Sequence, residues 1–96
     1  MSYRDLGKEV GELVESKQLQ YGNSFGRAGH VMKCLYPKGI ETHQMDDALA
    51  ITRIVDKLFR IAQRKEDGTD LGGESPYKDI AGYGLLGWNK DEQNKG

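Results

Sequence analysis

The sequence predicts an all-α fold, a compact bundle of about four helices, with the central helix at about residues 42–64 and assembly into a homo-oligomer. Three observations carry this. From Thr42 to Arg64, and most strongly over Ile51–Ala62, apolar residues recur at helical spacing: Ala48, Ile51, Val55, Leu58 and Ala62, widened by Ile54, Phe59 and Ile61. That stripe is broad enough for more than one neighbour. Turn-forming stretches, Gly22-Asn23, Pro37-Lys38-Gly39 and KEDGTDLGGE, cut the rest of the chain into helix-sized pieces. Finally, 36% hydrophobic residues in a chain of 96 allow only a thin core, which oligomerisation would supplement.

The first helix is expected from about Tyr3 to Gln20. Ser2 followed by Asp5 has the spacing of a capping box, with Asp in place of the usual Glu or Gln. Tyr3, Leu6, Val10, Leu13, Val14 and the stem of Lys17 mark its buried side. Gly7 and Gly11 weaken a helix by about 1 kcal/mol each relative to Ala, so they imply close approach of another backbone, within the fold or across subunits. After the break at Gly22 and Asn23, Ser24 is placed to cap a second helix, about Phe25 to Tyr36, with Phe25, Ala28, Val31, Met32 and Leu35 inside. Thr42 is placed to cap the central helix, and Asp46 and Asp47 favour its positive end. Ser75-Pro76 restarts the chain as a fourth helix. Its face would comprise Tyr77, Ile80, Ala81, Gly84 and Trp88, bordered by Tyr83, Leu86 and Gly87. Gly82, Gly84 and Gly87 again imply close helix contact. Residues 1–88 therefore form one domain, and 89–96 a flexible polar tail.

Charge is patterned locally rather than globally. The formal net charge is −1, so the chain carries no strong nucleic-acid signal. On the central helix, Arg53, Lys57, Arg60 and Arg64 form one cationic row, and Asp56 is placed to pair with Arg60. This row is either a solvated face or an anion site, since Arg and Lys in a row suit phosphates. Arg27, His30 and Lys33 form a shorter basic row on the second helix. His43 reads as an N-terminal helix residue. Glu9, Glu12 and Glu15 are spaced by three, either an outer charged face or an acidic metal ridge.

Cys34 is the only cysteine, so an internal disulfide is excluded, and it reads as a small buried apolar residue. No apolar run approaches the roughly 20 residues of a membrane helix and no signal peptide opens the chain, so a cytoplasmic setting and no membrane partner are expected. CxxC, HExxH, P-loop and GxSxG motifs are all missing.

Three blocks stand in a suggestive order: Tyr21-Gly22-Asn23-Ser24-Phe25, then Arg53-x-x-Asp56-Lys57-x-x-Arg60, then Glu74 to Tyr83 with Asp79-Ile80-Ala81-Gly82-Tyr83. This order resembles the small phage and bacterial family called nucleotide modification associated domain 1. That family is in turn similar to the all-α nucleoside triphosphate pyrophosphohydrolases, the MazG-like group. The resemblance spans Glu12 to about Tyr83. It implies an all-helical oligomer and a nucleotide-type ligand, with Tyr21, Ser24, Phe25, Arg53, Asp56, Lys57, Arg60, Asp79 and Tyr83 as binding candidates; Arg27 and His30 join them from the basic row.

One departure from that pattern bears on chemistry. MazG-like enzymes hold magnesium with an ExxE pair and a later ExxD pair. Glu12-x-x-Glu15 can stand for the first, whereas Glu74 and Asp79 stand five residues apart with Pro76 between them. Five residues turn a helix by about 500°, so the two carboxylates do not stack as a pair three apart would. Two readings follow. In the first, the chain binds a nucleotide without cleaving it and needs no cofactor or catalytic residue. By analogy of size and setting, it would act as a phage sponge for a nucleotide immune signal in the host cytoplasm. In the second it is a Mg2+-dependent nucleotide pyrophosphohydrolase or another nucleotide-metabolism enzyme, with Glu12, Glu15 and Asp79 at the metal.

Overall fold

In a computed structural model, which describes residues 1–64 and 73–95, the chain is all-α. Four α-helices follow one another: α1 (Tyr3–Tyr21), α2 (Ser24–Leu35), α3 (Met45–Ala62) and α4 (Pro76–Lys95), with a 3-10 turn at Thr42–Gln44 before α3. Helix α3 is the hub, because α1, α2 and α4 all pack against it. The stripe read from the sequence supplies the contact: Ala48 and Val55 are buried at 2% and 4% exposure, and Ile51, Ile54, Phe59 and Ile61 are half-buried. Leu58 and Ala62, at the same spacing, stay exposed.

Several helix ends follow their local chemistry. The Ser2 hydroxyl accepts the Asp5 N–H at 3.2 Å, and the Asp5 carboxylate accepts the Ser2 N–H at 3.3 Å; the capping box works with Asp as it does with Glu. Pro76 opens α4 as expected. Other ends differ. Ser24 is the first residue of α2 and is buried, and the cap position falls to Asn23, which is left-handed and makes no side-chain capping bond. Thr42 opens the 3-10 turn instead of capping α3; the Glu41 N–H that precedes it donates to the Gln44 side chain at 3.0 Å.

Helix α4 runs antiparallel to α3 and is fastened at both ends. Lys57 meets Asp79 at 3.3 Å near one end, and Lys90 meets Asp46 at 2.6 Å near the other. The helix continues through Lys95 rather than giving way to a loose tail at Asn89. Its last turns carry Trp88 Nε1 donating to Glu92 at 3.3 Å and Lys95 meeting Glu92 at 3.2 Å. The face turned to α3 is also rotated from the expected one. Pro76, Asp79, Ile80, Gly82 and Tyr83 are the covered positions, while Tyr77, Ala81 and Trp88 face outward. Helix α2 shows a similar shift: Ala28, Val31 and Met32 turn in, whereas Phe25 is 98% exposed. Cys34 is exposed, not buried, because its helical position lies well away from the Ala28–Val31–Met32 face.

Helix α1 is a different kind of element. Every residue from Met1 to Leu19 is exposed, and burial begins only at Gln20 and Tyr21. Its expected buried side, Tyr3, Leu6, Val10, Leu13 and Val14, is bare within one chain. A Cβ added at Gly7, Gly11, Gly82, Gly84 or Gly87 would meet nothing within 4 Å, so close approach inside the chain does not account for these glycines. The radius of gyration is 16.6 Å, against about 12–13 Å for a compact chain of this length.

Candidate functional site

The joint between α1 and α2 builds a concavity that gathers several of the expected residues. Gly22 and Asn23 are both left-handed, with φ of 60° and 58°. The left-handed angle at Gly22 favours glycine; a Cβ there would lie 2.5 Å from Cδ of the exposed Gln63 side chain, which would have to turn aside. The Gln18 amide donates to Asn23 Oδ1 at 3.1 Å and closes the turn. The result is a pocket of about 220 Å3 lined by Lys17, Gln18, Tyr21, Ser24, Phe25 and Asp56. Four expected site residues, Tyr21, Ser24, Phe25 and Asp56, therefore come together.

Lys57 stands behind this pocket. Its ammonium donates to the Tyr21 hydroxyl at 3.3 Å and pairs with Asp79 at 3.3 Å, and the side chain is 17% exposed. Burial alone would pull the Lys57 ammonium down, but the Tyr21 hydroxyl and the Asp79 carboxylate outweigh it and hold the group above the ordinary lysine range. Tyr21 also has Lys17 over its ring at 5.8 Å. Lys57 and Asp79 thus fix Tyr21 from α3 and α4, while Lys17 supplies the pocket's cation from one turn back along α1.

The cationic row of α3 is not one surface. Arg53 is exposed and borders a separate hollow of about 150 Å3 with Asp46, Asp47, Tyr83 and Lys90. Arg60 is 5% exposed, with its guanidinium beside Gly73, where a Cβ would sit 3.2 Å from Nη2. Helix α4, with Gly73 just before it, lies against part of the side of α3 that periodicity assigns to solvent. Arg27 lies over the Phe59 ring at 5.1 Å, at the rim of an apolar groove that includes Val31, Val55 and Leu58. His30 is exposed. Tyr83 borders the Arg53 hollow and a second one with Asp79 and Glu74.

Glu12 and Glu15 lie on the exposed part of α1. Asp79 is committed to Lys57. Among the described residues no group of three or more His, Cys, Asp or Glu side chains is placed to hold a metal ion. The acids of KEDGTDLGGE up to Asp70 lie outside the described residues. No helix among the described residues is long and apolar enough to cross a membrane.

Sequence reasoning placed Lys17 on a buried stripe and missed it as a site residue, along with Gln18. The signal was present: Lys17 precedes Tyr21 by four residues and shares its face. Comparison with protein-family models, curated proteins and solved structures yields no match for this chain. The likeness to the nucleotide modification family rests on the three sequence blocks alone.

Proposed function

We propose that this chain binds a nucleotide-type ligand at the α1–α2 joint and retains it without cleavage, as a sponge for a nucleotide signal would. The observation that carries the reading is one pocket that gathers an outward-facing aromatic, Phe25, a lysine, Lys17, and a half-buried acid, Asp56. Phe25 offers a face for a base to stack on. Asp56 is suited to accept from the amino edge of a base, and Lys17 to pair with phosphate. The Lys57–Asp79 pair holds Tyr21 in place, so it supports the pocket instead of gripping the ligand. Retention without cleavage is favoured because Asp79 is bound to Lys57, and Glu12 and Glu15 stand on the bare part of α1.

The test is incubation with a panel of linear and cyclic nucleotides in the presence of magnesium, scored for both retention and turnover. Stacking and a charge-assisted contact are each worth about 1–3 kcal/mol, so Phe25→Ala or Lys17→Ala should weaken retention about tenfold or more. Lys38→Ala, in the exposed turn, should leave affinity unmoved. Turnover lost in Glu12→Gln or Glu15→Gln would establish the enzyme reading instead.

A further inference from the structure

The bare stripe of α1 ends at this pocket. Tyr3, Leu6, Val10, Leu13, Val14 and Lys17 share one side of the helix, and Lys17 lines the pocket at its foot. Two glycines weaken a helix by about 1 kcal/mol each, so a cover over the stripe would stabilise it. The chain's surface is 7764 Å2, whereas a compact monomer of its mass would expose about 5,500 Å2. The excess is larger than the ~800 Å2 that a standard interface takes from each partner.

We infer that two copies of this chain pair through their α1 helices in antiparallel fashion about Val10, and that each delivers its Tyr3 to the other's pocket. The stripe is self-complementary in that direction, as a two-fold interface must be. Val10 meets its own copy, Leu6 faces Val14, and Leu13 falls against Gly7, where a Cβ has open space in the single chain. The parallel alternative sets Lys17 against Lys17 and crowds both bodies at one end. In the antiparallel pair, Tyr3, 94% exposed in one chain, arrives beside Lys17 and Phe25 of the partner. A pocket of about 220 Å3 is smaller than the roughly 300–1,000 Å3 of a complete small-molecule site, and a second copy would enlarge and wall it. The inference deepens the oligomeric part of the functional reading, but it does not depend on what the pocket binds, so the test uses no ligand.

Light scattering of the full chain should return at least twice 10.8 kDa, and Val10→Asp should halve that mass while the Trp88 near-ultraviolet signal persists. In a Cys34→Ser background, Val10→Cys should form an inter-chain disulfide, and so should the double variant Tyr3→Cys/Lys17→Cys. Tyr3→Cys alone should not, because a disulfide needs Cα atoms within about 7 Å. A wild-type monomer, an undiminished mass in Val10→Asp, or efficient cross-linking through Tyr3→Cys alone would each overturn the pairing. If Val10→Asp proves too disruptive to read, the cysteine pattern in the otherwise intact stripe decides.

Discussion

Helices α1 and α3 are nearly the same length, 19 and 18 residues, and both carry an apolar stripe at helical spacing. One has the rest of the chain packed around it; the other is bare along all but its last turn. Periodicity reports that a face needs a cover but does not report which molecule supplies it. On α3 the cover is local, because α2 just before it and α4 just after it in the chain both pack on it. On α1 the left-handed pair Gly22-Asn23 turns the chain away, and among the described residues no later helix comes back over the stripe.

The sharpest way to break this contrast is to place the same charge on each helix. Val55→Asp buries an unpaired carboxylate in the body and should cost about 4 kcal/mol or more, enough to abolish the cooperative thermal transition followed by circular dichroism. Val10→Asp should leave the melting of the body nearly intact. Equal damage from the two would show that α1 belongs to the body after all.

A smaller effect is expected at Lys57. Lys57→Met leaves the partly covered Asp79 and the Tyr21 hydroxyl without their partner, and should cost about 1–3 kcal/mol in urea unfolding. The pH dependence has a definite sign. Because Lys57 is held above the ordinary lysine range, its stabilisation is fully present below the unfolded value of about 10.4 and is lost as pH rises through the higher folded value. The wild type should therefore lose more stability than Lys57→Met across that alkaline window.

Glycine replacements sharpen the comparison further. In an isolated helix, Gly7→Ala would stabilise by about 1 kcal/mol. If a second copy packs there, the sign of its effect on association reverses, which sedimentation can read. The smallest effect belongs to Lys90→Ala. The hydrogen bond and charge of Lys90 hold the Asp46 carboxyl below its usual range, so the pair's contribution is present above that range and fades as pH falls through the lowered value. In the variant, the Asp46 titration followed by carboxyl NMR should move up.

Much of the fold is legible in the sequence because caps and turns are local. Ser2 with Asp5, Pro76 after Ser75, and Gly22-Asn23 all mark boundaries through bonds made within a few residues. The stripe on α3 is legible for the same reason. What escapes is long-range. Arg60 lies opposite the stripe and reads as surface, yet it is buried, with Gly73 beside its guanidinium. Phe25 sits at an inner spacing on α2, but α3 approaches that helix from the Ala28–Val31 side. The last turns of α4 read as a polar tail, since the tie that anchors them, Lys90 to Asp46, joins residues 44 apart in the chain. Of the pocket, Tyr21, Ser24, Phe25 and Asp56 stand among the candidates the resemblance implies, but in two separate blocks; their meeting, like the tie between Lys57 and Asp79, depends on how α1 and α4 pack on α3.

The joint at Gly22 and Asn23 also acts as the fulcrum of a lever. From Tyr3 to Leu19 the helix reaches about 25 Å, so a swing of about 20° at its foot would carry its tip through about 9 Å. The exposed Gln63 side chain rests against Gly22, and the left-handed backbone of Gly22 and Asn23 sets the direction in which α1 departs. Chains alike in every other residue, but altered at this fulcrum, would hold their bodies at different spans using unchanged contact surfaces.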